Sequence, residues 1–217
     1  MAILPLSSPG ATLESAGGKG LNLARLARAG FAVPHGFIIS TDAYQEFLNI
    51  NRWLPTIQAV VENLPAEDAG ALERASKQIR VSFSAGKMPE EMEAAIRAAY
   101  AELGYKPVAV RSSATAEDLP DLSFAGQQDT FLNVVGVGQL LEAVINCWSS
   151  LWTARAIGYR IRNGIDHHEA ALAVIVQEMV QSEASGVLFT ANPLTGLRCE
   201  SVIDATLGLG EALVSDR

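Results

Sequence analysis

The chain has 217 residues, 49% of them hydrophobic, which is ample material for a packed core and excludes a disordered chain. Its 16 basic and 24 acidic residues give a net charge of -8, which argues against a duplex nucleic-acid binder and makes each cation placed against a polyanion individually important. The longest apolar run, 170–176, is far short of the roughly 20 residues a membrane span needs, and Cys147 and Cys199 fall in no metal or disulfide pattern, so no membrane association and a cytoplasmic setting are expected.

The opening MAILPLSSPG has no basic segment and no apolar segment before Pro5, so it does not read as a secretory signal. In GGKGLNLARLARAG, Leu21, Leu23, Leu26 and Ala27 recur at helical spacing, which predicts an amphipathic helix from about Gly20 that Gly30 stops. FAVPHGFIIS reads as extended and largely buried, and Ser40 or Thr41 with Asp42 starts a short helix through Leu48. Residues 55–103 read as helical pieces. The clearest is MPEEMEAAIRAAYAEL, with Pro89 near its start, acids in its first turn and Gly104 closing it.

Composition shifts at Pro107, which predicts a mostly helical N-terminal lobe over 1–106 and a β-rich portion with a long helix over 107–217. Residues 108–111 and 130–135 read as strands on either side of a polar stretch. After Gly136, Leu140, Leu141, Val144, Ile145, Trp148, Leu151 and Trp152 predict one or two long helices ending near Gly164. Strand-like runs follow at about 171–176, 186–190 and 201–205. No internal repeat is visible.

Lys19 is the first candidate for chemistry, because a lysine in the first turn opposes the helix dipole unless an anion is bound there. Glycines 17, 18 and 20 would let backbone amides approach such an anion. The spacing is not that of a Walker A loop, and taken alone the stretch is more often an exposed lysine in a flexible turn. Arg111, where a buried strand runs out into Ser112, Ser113 and Thr115, has a donor fork that suits phosphate, and the hydroxyls add donors; a solvated strand-end arginine is the alternative. Glu117 and Asp118 read as turn scaffold. In SFAGQQDTF, Gly126 supplies freedom while Gln127, Gln128 and Thr130 supply donors, as a flap over a polyphosphate requires; a mobile hairpin tip of no function is the alternative. Gln177 and Glu178, followed by Met179 and Val180, suit a hinge that reads a purine edge, or equally an edge-strand exit. His167 and His168 read as surface residues, with no partner at ligand spacing.

Taken in order, GGKGLNLARL, GFAVPHGFIIS, VAVRSSATAEDLPDLSFAGQQDTFLNV, SLWTARAIGYRIRNGID, VIVQEMV, GVLFTANPLTG and IDATLGLGEALVS resemble the N-terminal nucleotide-binding domain of the phosphoenolpyruvate synthase, pyruvate phosphate dikinase and rifampicin phosphotransferase family. The resemblance covers nearly the whole chain. It implies an α+β, ATP-grasp-like fold of two lobes holding ATP. It also implies that Lys19 and Arg111 hold the phosphates, that Gly126, Gln127, Gln128 and Thr130 cover them, and that Gln177, Glu178 and Val180 contact adenine.

In such a phosphotransferase, Mg-ATP phosphorylates a histidine on a separate swivelling domain. The γ-phosphate leaves as inorganic phosphate, and the β-phosphoryl group passes to pyruvate or an antibiotic hydroxyl on an acceptor domain, leaving AMP. His35, His167 and His168 lack the Thr-Ser flank of the family's phosphorylated histidine, and the magnesium ligands lie downstream of the Leu-Gly-Glu-Ala-Leu-Val stretch. The resemblance therefore implies a chain truncated at its C-terminal end and inactive alone. The alternative in another class is a non-catalytic nucleotide-binding or scaffold module.

Overall fold

The computed structural model describes residues 3–115, 130–168 and 170–214. The chain divides into two compact units, Met1–Met179 and Val180–Arg217. In the first, the described elements are β1 (Ile3–Pro5), α1 (Leu13–Arg28), β2 (Gly36–Ile39), α2 (Thr41–Ile50), α3 (Leu54–Val61), α4 (Ala69–Ser84), α5 (Glu90–Glu102), β3 (Val108–Ala114), β4 (Thr130–Val134), α6 (Val137–Ser150), α7 (Ala154–Arg162) and β5 (Leu172–Glu178). The architecture is α+β.

Among the described residues five strands form one sheet in the order β1-β2-β5-β3-β4, each neighbouring pair antiparallel. β5 is central for a reason legible in its side chains: LAVIVQ is buried at every position, so both faces of that strand must be covered. Leu172, Val174 and Val176 point into the larger core with Val108 and Val110 of β3, Tyr44 and Phe47 of α2 and Trp148 of α6. Ala173 and Ile175 point the other way, against Ala16 and Ala24 of α1 and Ile38 of β2. The sheet therefore separates one helix, α1, from the layer containing α2 and α6. It takes strands from both sides of Pro107.

Helix α1 begins at Leu13, earlier than the expected Gly20. Thr12 Oγ1 accepts from the Ser15 amide at 3.2 Å, and Ser15 Oγ accepts from the Thr12 amide at 3.0 Å, a reciprocal cap that the glycine-rich run after it obscures in the sequence. At Gly17 the backbone leaves helical geometry (φ 66, ψ 176) before the helix resumes. The expected helical region after Gly136 is two helices, and Thr153 caps the second by accepting from the Ala156 amide at 3.2 Å. β3 continues past Arg111 through Ala114 because Ser112 and Ser113 are buried and pair with β5.

The second unit contains β6 (Ala184–Phe189) paired antiparallel with β7 (Val202–Leu207), then α8 (Glu211–Val214). Ser182 and Ser185 hydroxyls both donate to the Gly208 carbonyl, at 3.0 and 2.6 Å, closing the end of this pair. Leu188, Ile203 and Leu207 are exposed.

Candidate functional site

Strand alternation decides which side chains of β3 can meet a ligand. Val108, Val110 and Ala114 belong to the larger core, so Ala109, Arg111 and Ser113 face α1. Arg111 is half-buried and stands directly opposite Thr130 of β4 on one side and Ile175 of β5 on the other. Gln177, opposite Ala109, is its diagonal neighbour on that face. Arg111, Thr130 and Gln177 thus share one surface of the sheet, and α1 lies over the same surface.

Lys19 is carried on α1, the helix that packs on this surface. It is exposed, and Gly17, Gly18 and Gly20 around it are buried against the sheet. The contact is specific: the Ser113 hydroxyl donates to the Ala16 carbonyl at 2.8 Å and accepts from the Gly20 amide at 3.1 Å. Ser113 was expected as a phosphate donor. It is instead fully buried with its hydroxyl committed to α1, and Thr115 Oγ1 is directed at the Ala171 carbonyl at 3.4 Å. A polar side chain after a strand arginine looks like a ligand donor in sequence; only the packing of α1 shows that it is an internal joint.

Gln177 is buried, and its Nε2 donates to the Pro34 carbonyl at 3.2 Å. Glu178 lies on the opposite face, in register with Val108, and its Oε1 accepts from Lys106 Nζ at 2.6 Å. The Glu178 and Met179 amides donate to the carbonyls of His35 (2.7 Å) and Pro107 (2.9 Å), so the strand end is tied to both neighbouring segments. Val180 belongs to the second unit and is exposed there. Gly126, Gln127 and Gln128, with Glu117 and Asp118, lie outside the described residues.

A second polar constellation was not foreseen. Arg160 of α7 is fully buried: its Nε donates to His167 Nδ1 at 2.8 Å, its Nη2 donates to the Leu151 carbonyl at 2.7 Å, and its guanidinium lies 4.9 Å from the centre of the Trp152 ring. Trp152 Nε1 in turn donates to the Tyr44 hydroxyl at 3.0 Å. Burial pulls the Arg160 pKa down to about 10 and pushes that of the Tyr44 phenol up, so at neutral pH the first stays charged and the second protonated. Burial, then the Arg160 charge, hold His167 down at about 4. His167 is therefore not the surface residue expected from Asp-His-His; it is half-buried, neutral, and accepts through Nδ1, which places its own proton on Nε2. His168 is exposed as expected.

Tyr44, Trp152 and His167 line a cavity of about 160 Å³ with Leu48, Ile57 and Val61. This cavity opens on the larger-core side and does not include Arg111, Lys19 or Thr130. Its lining holds no lysine or arginine, and it includes the acidic Glu62 and Asp166, so it is poorly suited to a polyanion, whereas the α1 face presents a cation on β3, a hydroxyl on β4 and a glycine-flanked lysine on α1. The α1 face is therefore the candidate nucleotide site. Among the described residues no group of three or more His, Cys, Asp and Glu side chains could hold a metal ion. No helix there is long and apolar enough to cross a membrane.

Comparison with known proteins places the chain in a family. Residues 13–217 match the family described as pyruvate phosphate dikinase, AMP/ATP-binding domain. The chain is 45% identical over 209 residues to a protein named probable phosphoenolpyruvate synthase from Methanocaldococcus jannaschii, covering 94% of this chain and 18% of that protein. It is 48% identical over 204 residues to a rifampicin phosphotransferase from Streptomyces sviceus, covering 92% of this chain and 23% of that enzyme. It is 42% identical over 237 aligned residues to a phosphoenolpyruvate synthase from Pyrococcus furiosus, covering 92% and 29% respectively. The chain thus spans less than a third of the length of these curated relatives, and it belongs to the pyruvate phosphate dikinase AMP/ATP-binding domain family.

Proposed function

We propose that the chain is the ATP-binding portion of a dikinase-type phosphotransferase with an ATP-grasp-like, two-lobed fold. The observation that carries this reading is the convergence of Arg111, Thr130 and the Lys19 segment on one face of the sheet. A guanidinium fork and an ammonium set around a triphosphate act by positioning it and neutralising its charge, which is most of what phosphoryl transfer requires of a protein.

In this reading Lys19 and Arg111 hold the phosphates, residues 126–130 cover them, and Gln177, Glu178 and Val180 contact the adenine. Magnesium supplies further neutralisation when bound. Its carboxylate ligands would come, as the resemblance implies, from outside the described residues. The phosphorylated histidine and the acceptor domain, for pyruvate or an antibiotic hydroxyl, belong to other parts of the enzyme. This fits a chain that covers 18% and 23% of two of its relatives. The exposed Leu188, Ile203 and Leu207 of the second unit form apolar surface for further chain of that lobe to cover.

Calorimetric titration of Mg-ATP into the protein carrying this chain tests the reading. Binding that is weakened in Lys19→Ala and in Arg111→Ala, but still measurable, is the expected result. Binding that survives both substitutions unchanged ends the phosphate assignment.

A further inference from the structure

Helix α1 is broken at Gly17 and mended by a side chain from another element. In an α-helix the amide of residue 20 donates to the carbonyl of residue 16. The Ser113 hydroxyl of β3 bonds to both members of that pair, donating its one proton to Ala16 O at 2.8 Å and accepting from Gly20 N at 3.1 Å. A side chain set into the helical ladder is a recognised cause of a kink, and here the kink falls inside the bridged segment, at Gly17 with φ 66. The fit is mutual. A Cβ on Gly17 would fall on the backbone and hydroxyl of Ser113, so the absence of that carbon is what lets the serine in.

The three residues between the bridged groups are Gly17, Gly18 and Lys19. Ser113 grips both ends of this segment, and Arg111 is two residues away on the same face of the same strand. Without the bridge, Lys19 would be referenced to β3 only through the general packing of α1. With it, both cations are measured from one strand, and β3 is rigid where it matters because it pairs with β5 from Val108 through Ala114.

We infer that Ser113 is a positioning residue of the nucleotide-phosphate site: it acts through the Gly17–Lys19 segment to fix the Lys19 ammonium relative to the Arg111 guanidinium. The inference rests on the reading that these two cations hold the phosphates. Ser113 itself does not touch the ligand, since it is fully buried with both hydrogen-bonding roles of its hydroxyl in use.

The test is a double-mutant cycle in the protein carrying this chain, with Mg-ATP affinity read by titration and folding by thermal unfolding. Ser113→Ala weakens affinity about tenfold in the parent, the scale of one well-made hydrogen bond converted to binding. In the Lys19→Met background it costs less than about twofold, because the group it positions is gone. Ser113→Cys, of similar size with weaker donor and acceptor strength, falls between parent and alanine and serves if Ser113→Ala does not fold. Equal losses in the two Lys19 backgrounds, or no loss in the parent, overturn the inference and leave Ser113 as a stabilising contact. A Lys19→Met protein that binds as the parent does overturns the phosphate reading instead, and a parent that binds no Mg-ATP overturns both.

Discussion

Arg111 of β3 and Thr130 of β4 are direct cross-strand partners on the face of the sheet that carries α1. Their pairing sets a fork of donors beside a hydroxyl. If that fork grips phosphate oxygens, its shape matters as well as its charge. Arg111→Ala is expected to weaken Mg-ATP binding about a hundredfold, the upper range for hydrogen bonds to charged groups. Arg111→Lys keeps the charge but loses the planar fork, and recovers only part of that loss. Equal affinity for the lysine variant and the parent would show that charge alone is read there.

Gly17 makes a second, independent prediction about stability. Alanine there must adopt φ 66 and place its methyl on Ser113, so Gly17→Ala is expected to cost about 2 to 3 kcal/mol or more in urea unfolding. Gly30 has φ 84 but nothing within reach of an added Cβ. Gly30→Ala should therefore cost only the backbone strain, about 1 kcal/mol. A Gly17→Ala protein no less stable than Gly30→Ala would mean that the helix and strand do not pack as closely as the bridge requires.

What the sequence disclosed and what it hid divide along a physical line. The apolar run before Gln177 announced a strand, and the acidic first turn and Gly104 announced α5, because these signals are local. The family, the α+β class and the ATP-binding role were legible from seven short motifs in register. The cap at Thr12 was missed because Ser15 stands where Glu or Gln usually completes the pattern. Ser113 and His167 were misread for a deeper reason: a serine beside an arginine, or a histidine beside an aspartate, carries no mark of what will pack on it. Ser113 meets a helix 97 residues earlier in the chain, and His167 meets an arginine from the preceding helix turned inward.

Arg160 is a fully buried cation that holds the larger core to the 166–168 turn. Removing it leaves the Leu151 carbonyl and His167 Nδ1 without their donor and Trp152 without a cation over its ring. The cost of burying the guanidinium, visible in its lowered pKa, offsets part of what those contacts contribute. Arg160→Met, which keeps the bulk, is expected to destabilise by about 2 kcal/mol. Trp152→Phe, which removes the donor to Tyr44 but keeps a ring, should cost less, about 1 kcal/mol. Denaturant titration of both variants checks the order; a methionine variant as stable as the parent would show that the burial cost equals the contacts.

His167 makes the stability of the chain depend on pH in a stated direction. Its pKa is about 4 in the folded state against 6.5 as an unperturbed group, because burial and the Arg160 guanidinium disfavour its charged form. Asp166 pulls the other way, His168 adds to the lowering, and Tyr44 and Glu62 line the same cavity among the described residues. The unfolded chain therefore binds a proton at this residue that the folded chain refuses, and stability rises with pH across the interval. The contribution is fully present above pH 6.5 and is lost as pH falls toward about 4, where protonation also takes the Nδ1 lone pair from Arg160. His167→Gln keeps an acceptor for Arg160 without a titrating ring. The thermal midpoint of the parent should fall more steeply than that of the variant between pH 6.5 and 4, and the two curves should run parallel above pH 7. Parallel curves through the acidic interval would mean that His167 accepts a proton in the fold as readily as in the unfolded chain.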